Sequence, residues 1–448
     1  MRPIHSCAIF LLAGILVACG TGSPTHTMVS FTPNLSAQTA NNTSAADSFQ
    51  MQSNGNLGAN NVSKVNVHTL LYPGATTKIF AHLMLWFGQS SHMDVGYNSN
   101  DATQVQRQIT DMISRGIDGV IIDWYGPNNT IDQATQLVMH EAEKHPGFTF
   151  AIMVDAGAMG SGACPGCNRE QTLINLMQYM AQTYFQSKAY LTIGGQPVVT
   201  NFNVDQSNSI DWENVRRAIP AAPRFIFQDN PGFSHQTSDG SYSWIMPQFD
   251  NYGLDYLSNF YGTGLGYSQI ETVGATYKGF NDSLASWGSN RVMTQQCGQT
   301  WLQTFDRINQ LYSSSRQLPF LQLVTWNDYE EATELESGID SCFSLQASVS
   351  GNSLQWTISG NENTIDHYVI YSGNGPSLAQ LTTTQPSTHS VDLCSLSLPA
   401  TPTQLYVQAV GKPMLANRMP APVTYTPTCG TRSDAGVLRV VASSAYPN

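Results

Sequence analysis

Lys78-Ile79-Phe80-Ala81-His82-Leu83-Met84-Leu85-Trp86-Phe87 is an apolar run of buried-strand character, and the stretch that follows it decides the fold. Asp101 to Arg115 places Val105, Ile109, Met112 and Ile113 close to helical spacing, and Gly116 stops the helix. Gly119-Val120-Ile121-Ile122-Asp123 then returns to a second strand. The alternation continues through a helix at Gln133 to Lys144, a strand at Phe148 to Val154 and a helix at Thr172 to Phe185. Strand-like Pro197-Val198-Val199-Thr200, Arg224 to Gln228 and Leu321 to Trp326 complete the series. Repeated βα units across residues 73–340 predict an α/β fold, a single (β/α)8 TIM barrel. A doubly wound sheet is disfavoured, because no Gly-rich phosphate loop follows the first strand and several strands end in polar or aromatic residues.

From Cys342 the pattern changes to short alternating strands: Ser344 to Val349, Ser353 to Ile358, His367 to Tyr371, Ser390 to Leu393 and Gln404 to Val410. This predicts a β-sandwich over residues 341–430, with a tail at 431–448. Strand spacing, Trp356 and Tyr368-Val369-Ile370-Tyr371 resemble a fibronectin type III module. That resemblance implies a spacer or docking surface, with direct sugar binding as the alternative.

Arg2 and the apolar run Ala8 to Val17 lead into Leu16-Val17-Ala18-Cys19-Gly20, the form of a signal peptide at residues 1–19. The stretch resembles the lipobox of bacterial lipoproteins, which implies lipidation of Cys19; cleavage without lipidation is the alternative. Residues 20–72, rich in Ser, Thr, Asn, Ala and Gly, are expected to be a flexible tether. No later segment is apolar over the ~18 residues a membrane helix needs, so the lipid is the sole expected membrane contact. Export to the cell envelope follows, at the outer membrane or cell surface.

Eight cysteines are present, and setting aside Cys7 and Cys19 leaves an even number, the mark of disulfides in an exported chain. Cys164-Pro165-Gly166-Cys167 sits in a Gly-rich loop after a strand, which suits a small staple better than a redox site. The histidines are scattered and no second CxxC follows at zinc spacing, so no metal or other cofactor is inferred. With a formal charge of -12 and only 19 Lys and Arg, the chain is unsuited to nucleic acid and suits a neutral polysaccharide. Oligomeric state is not legible.

In a barrel of this kind the site lies at the C-terminal strand ends. Those ends supply His82 and Trp86 from the first strand, Asp123, Trp124 and Tyr125 from the second and Asp155 from the third. Trp244 and Lys278 lie at later strand ends, and the last strand contributes Trp326, Asn327, Asp328 and Glu331. Glycosidic cleavage needs one carboxylic acid to protonate the leaving oxygen and a second carboxylate to activate water or attack the sugar. Asp328 and Glu331 can supply both if the chain turns after Asn327. Trp326 and Tyr329 are expected to stack on sugar rings and lower the local polarity. The competing reading is a solvated acidic loop, since Glu330, Glu334 and Glu336 are close by. Asp123 and Asp155 are further candidates, because a carboxylate that ends a buried strand is costly without a partner or a function.

Val324-Thr325-Trp326-Asn327-Asp328-Tyr329-Glu330-Glu331 resembles the Trp-Asn-Asp-Tyr-Gly-Glu motif of glycoside hydrolase family 71, the α-1,3-glucanases. Phe80-Ala81-His82 with Met84, and Gly116-Ile117-Asp118-Gly119, are similar to that family's first strand and the approach to its second. The resemblance implies Asp328 and Glu331 as the catalytic pair, Glu331 as general acid and Asp328 as general base of an inverting reaction. Two features depart from it. Glu330 replaces the motif's Gly, and Ile122-Asp123-Trp124-Tyr125-Gly126-Pro127 with Ala332 to Glu336 looks like the related family 99, the endo-α-mannosidases. Hydrolysis of an α-linked glucan or mannan is the activity implied, with α-1,3-glucan first. A carbohydrate-binding lipoprotein without turnover is the rival from another class.

Overall fold

The computed structural model of the protein describes residues 62–160, 163–373 and 378–429. The expected signal peptide with Cys19, most of the tether and the tail from 431 lie outside them.

Eight parallel strands form the barrel: β1 Lys78–Leu83, β2 Gly119–Trp124, β3 Thr149–Asp155, β4 Gln196–Phe202, β5 Arg224–Gln228, β6 Gly240–Tyr242, β7 Glu271–Thr276 and β8 Phe320–Leu323. Each pairs with the next, and β8 pairs with both β7 and β1, which closes the ring. Closure leaves no unpaired edge in the sheet. Helices α1 Ala102–Ser114, α2 Thr130–Ala142, α3 Arg169–Thr183, α4 Trp212–Arg217, α5 Leu254–Gly264 and α6 Gln299–Leu311 intervene between strands. Four of them begin on side-chain caps, in which Asp101, Asn129, Asn168 and Asp211 accept a backbone N–H of the first turn. α1 buries Val105, Ile109 and Met112 as its spacing predicts, whereas Ile113 stays exposed. Gly116, at φ +84°, ends that helix in the left-handed region that suits glycine.

Strand pleating sorts the side chains. Phe80, Ile121, Ala151, Thr200, Ile226, Val273 and Phe320 line one small cavity inside the ring. Because alternate residues share a face, His82, Asp123 and Asp155, two or four positions further along, belong to the same inner face near the C-terminal mouth. Trp124 belongs to the outer face.

The ordered fold begins earlier than the composition implies. Val62, Val67, Leu71 and Tyr72 are buried, and a 3-10 turn at Val67–Leu70 is capped by Asn66. Residues 62–72 are therefore part of the folded body and not tether; four apolar side chains among polar neighbours suffice to dock the segment.

Seven further strands follow: β9 Ser344–Ser350, β10 Ser353–Ser359, β11 Ile365–Gly373, β12 Ala379–Thr384, β13 Ser390–Asp392, β14 Thr403–Gly411 and β15 Val423–Tyr425. They form two antiparallel sheets, β9-β10-β13 and β12-β11-β14-β15, around one core containing Leu354, Trp356, Tyr368, Ile370, Leu405, Val407 and Tyr425. The barrel and this body are joined closely. Cys297 pairs with Cys342, the Trp301 indole donates to the Pro413 carbonyl at 3.0 Å, and Ile339 bridges Leu415. Cys394–Cys429 closes the C-terminal body and Cys164–Cys167 closes the loop after β3. Among the described residues, no helix is long and apolar enough to cross a membrane.

Candidate active site

The chain leaves β8 through Val324, whose peptide to Thr325 is cis, and turns tightly. Trp326 N–H donates to the His82 carbonyl at 2.7 Å, and the Asn327 side chain clamps the Met84 backbone, accepting from its N–H at 2.9 Å and donating to its carbonyl at 2.8 Å. The turn is thereby fastened to β1. The Asp328 N–H donates to Thr325 Oγ1 at 2.8 Å, and Asp328 Oδ1 accepts the N–H groups of Glu330 at 3.0 Å and Glu331 at 2.9 Å. One carboxylate oxygen thus organises the backbone that carries the second acid.

Below the turn lies a buried hydrogen-bond network. Glu336 Oε2 accepts from the hydroxyls of Tyr97 and Tyr329, Glu336 Oε1 accepts from Gln108, and Asn327 donates to the Tyr97 oxygen. Arg115, fully buried, donates to the carbonyls of Leu335 and Glu336 and lies over the Trp326 ring at 5.0 Å. Burial raises the Glu336 carboxyl to about 7.

Four acids converge at the mouth. Asp123 is pushed well above the usual carboxylate range by burial and then by the charges of Asp155 and Asp328, with Glu331 adding to them. Burial likewise raises Asp155 to about 6, opposed by the Gly157 N–H and the Tyr125 hydroxyl. The Tyr125 hydroxyl faces Asp123 and Asp155 and favours their ionised forms, and a side chain at Gly157 would meet the Tyr125 ring at 2.8 Å, so glycine there makes room for the ring. Burial pushes Asp328 up, reinforced by the Glu331 charge and resisted by the two backbone N–H groups. Glu331 is raised to about 7 by burial, against the Arg291 guanidinium and a hydrogen bond from the Trp287 indole. Like charges so close, in so dry a place, cannot all ionise, so the cluster retains protons near neutrality. That is the condition for an acid and a base to coexist.

Aromatic rings wall the cluster. Trp86 stacks on His92 at 5.0 Å and presents edges to Tyr125 at 6.2 Å and Trp287 at 6.3 Å. His92 Nδ1 and the Met93 N–H bond Glu330, which pins the loop after β1 to the turn that carries Asp328 and Glu331. His82, held neutral by a burial that lowers it to about 3, meets Trp244 edge-on at 4.7 Å.

The structure therefore gathers Asp328, Glu331, Asp123, Asp155, Tyr125, Trp86, His82 and Trp244 at one mouth. Five other expectations are corrected. Trp124 is fully buried on the outer face, donating to Asp132 and stacked on Tyr179 of α3. Trp326 is fully buried under Arg115, where no sugar ring can reach it. Asn327 is consumed by the Met84 and Tyr97 bonds. Lys278 is buried in an ion pair with Glu334 at 2.6 Å, bracing the loop after β7 to the segment that follows Asp328 and Glu331. Tyr329, too, spends its hydroxyl on Glu336.

Trp287 and Arg291 were not legible as site residues. They sit in the irregular loop after β7, where Asp282 holds Arg291 and caps Ser289. Trp287 is 47% exposed, a large apolar ring left open beside an acid. The available signal was a lone Trp in a Gly- and Ser-rich stretch.

A closed (β/α)8 barrel with paired carboxyls at the C-terminal mouth of its last strand is a scaffold on which glycosidases are built. The chain belongs to glycosyl hydrolase family 71, whose model matches residues 75–335, and is a glycosidase. Among solved structures it is similar to the family 99 endo-α-mannosidase from Bacteroides thetaiotaomicron at 15% identity and a TM-score of 0.46, covering 58% of this chain and 87% of that one. The same mannosidase in complex with bis-tris propane gives 16% identity, a TM-score of 0.48 and the same coverage. A comparison with curated proteins finds no match.

Proposed function

We propose that the protein hydrolyses an α-linked polysaccharide, α-1,3-glucan foremost, with Glu331 as general acid and Asp328 as general base. Glu331 gives its proton to the glycosidic oxygen as the bond to the anomeric carbon breaks. The Asp328 carboxylate takes a proton from the water that attacks that carbon. The observation that carries the reading is the pair itself: burial raises Glu331 to about 7, suited to donating a proton near neutrality, and burial with the Glu331 charge pushes Asp328 up as well, against two backbone N–H donors that favour its anion, so the two acids share protons rather than both ionising. Trp287, 47% exposed and backed edge-on by the buried Trp86, supplies an apolar face for a sugar ring.

In the same reading, the C-terminal body is a fibronectin type III-like spacer, as its three- and four-stranded sheets suggest. The Cys19 lipid would hold the enzyme on the outside of the envelope.

Release of reducing sugar from a panel of α-glucans and α-mannans tests this, comparing the protein with its Asp328→Asn and Glu331→Gln variants. Turnover of α-1,3-glucan, lost in both folded variants, is expected. Turnover of mannan alone would replace the substrate, and binding without turnover of any polymer would overturn the hydrolase reading.

A further inference from the structure

On another arc of the ring from Asp328 and Glu331, the ends of β5 and β6 carry a second set of groups for which cleavage has no use. Phe249, in the loop between β6 and α5, is 50% exposed. Its ring lies on Tyr256 with 5.7 Å between centroids and only 2° between planes. The Tyr256 hydroxyl donates to Asp229 Oδ1 at 2.5 Å. Asp229 follows β5 directly, at a positive φ of 61° that Asp tolerates better than most residues, and its backbone is fixed by bonds to Tyr242 and Ser241. No cation pairs with Asp229 among the described residues, and burial raises it to about 6. Beside it, Asn230 bonds Asn259, which leaves an amide on the same rim.

An outward-facing aromatic ring backed by a second ring, next to a carboxyl and an amide, is the chemistry that holds a sugar: an apolar face for the ring's C–H groups and acceptors for its hydroxyls. The Tyr242 hydroxyl, which donates to the Asn201 carbonyl, feels the charges of Asp229, Asp123 and Asp155 together. In the ring of eight strands β5 lies opposite β1 and β6 opposite β2, while β8 is three strands from β5 and two from β6, so the two sets of groups occupy different arcs of the rim.

We infer that Phe249, Tyr256 and Asp229 form a remote sugar-binding subsite that holds a unit of the same glycan several residues away from the bond being cut. The inference rests on the proposed polysaccharide reading and deepens it: such a subsite serves an enzyme that grips the interior of a chain. Binding energy from the remote unit then contributes only for substrates long enough to span the mouth. Phe249 is the residue to remove, because its exposure keeps the fold out of the measurement.

The test is calorimetric titration of α-1,3-linked glucose oligosaccharides of two and of six units, with the α-mannose series alongside. The proteins are the full chain carrying Glu331→Gln and the same chain with Phe249→Ala added. The six-unit ligand is expected to bind about tenfold more weakly without Phe249 and the two-unit ligand unchanged, with Phe249→Tyr restoring the long-chain affinity. Equal affinities for the six-unit ligand, equal losses at both lengths, or no binding of either series overturns the subsite. Turnover by the unsubstituted protein is scored separately. Hydrolysis without the length-dependent loss rejects the subsite alone, and the length-dependent loss without hydrolysis rejects the hydrolase reading alone.

Discussion

Asp328 Oδ1 accepts the backbone N–H of Glu331 at 2.9 Å, so the position of one acid is set by the carboxylate of the other. Asparagine at 328 keeps an oxygen for that bond, which makes Asp328→Asn a test of charge more than of shape. Both Asp328→Asn and Glu331→Gln are expected to lower kcat on the order of 10³-fold with little change in KM. Steady-state kinetics beside unchanged circular dichroism would check this, and a loss confined to KM would argue against catalytic roles.

As the proposed general acid, Glu331 must be protonated to act, and burial raises it to about 7, so activity should decline as pH rises through that value. Trp287 favours the ionised carboxyl by donating to it. Trp287→Phe should therefore move the alkaline limb of the kcat profile upward and leave the acid limb in place. An unmoved alkaline limb would separate Trp287 from the acid.

Burial raises Glu331 and Glu336 to about 7 and Asp155 and Asp229 to about 6, all above ordinary carboxyl values. A carboxyl whose pKa is raised by folding stabilises the fold while it is protonated. The contribution is complete below the unfolded range, about 4, and is lost as pH climbs through 6 to 7. Thermal unfolding should show a lower midpoint at pH 8 than at pH 5. A flat or rising midpoint would show that these acids find compensation elsewhere.

Glu336→Ala removes the acceptor of two tyrosine hydroxyls and one of the two acceptors of the Gln108 amide, which keeps the Tyr97 oxygen. A loss of about 3 kcal/mol in denaturant unfolding is expected, because each stranded donor keeps its desolvation penalty. Turnover should fall as well, through Asn327 and the turn that it anchors.

Replacing both Cys297 and Cys342 with alanine opens a loop of sequence separation 45. Chain entropy puts the cost at about 4 kcal/mol, and equal melting points with and without reductant would refute it.

Much of the barrel is legible because β1 to β5 and β8 are apolar or flanked by amphipathic helices. β6 and β7 are not. Gly240-Ser241-Tyr242 is only three residues long, and Glu271 to Thr276 is mostly small or polar, so neither has the run that marks a buried strand. The acids of the site are readable as costly strand endings. Trp124 and Trp326 mislead because aromatic character says nothing about direction. Strand alternation carried that information for Trp124, since the neighbour of an inward Asp123 must turn outward. Trp287 belongs to a loop of no periodicity, and only its bond to Glu331 reveals it.

The corner where Cys342, Ile339 and Trp301 meet also receives the start of the ordered chain, since Val62 bridges Ala416 and the Ser63 N–H donates to the Leu415 carbonyl at 2.9 Å. Three separate stretches of polypeptide are riveted at one place, and a hinge has nowhere to form. The two bodies should tumble in solution as one particle with a fixed outline, which makes the second body a rigid handle. Whatever it grips, it presents the mouth of the barrel at a constant angle.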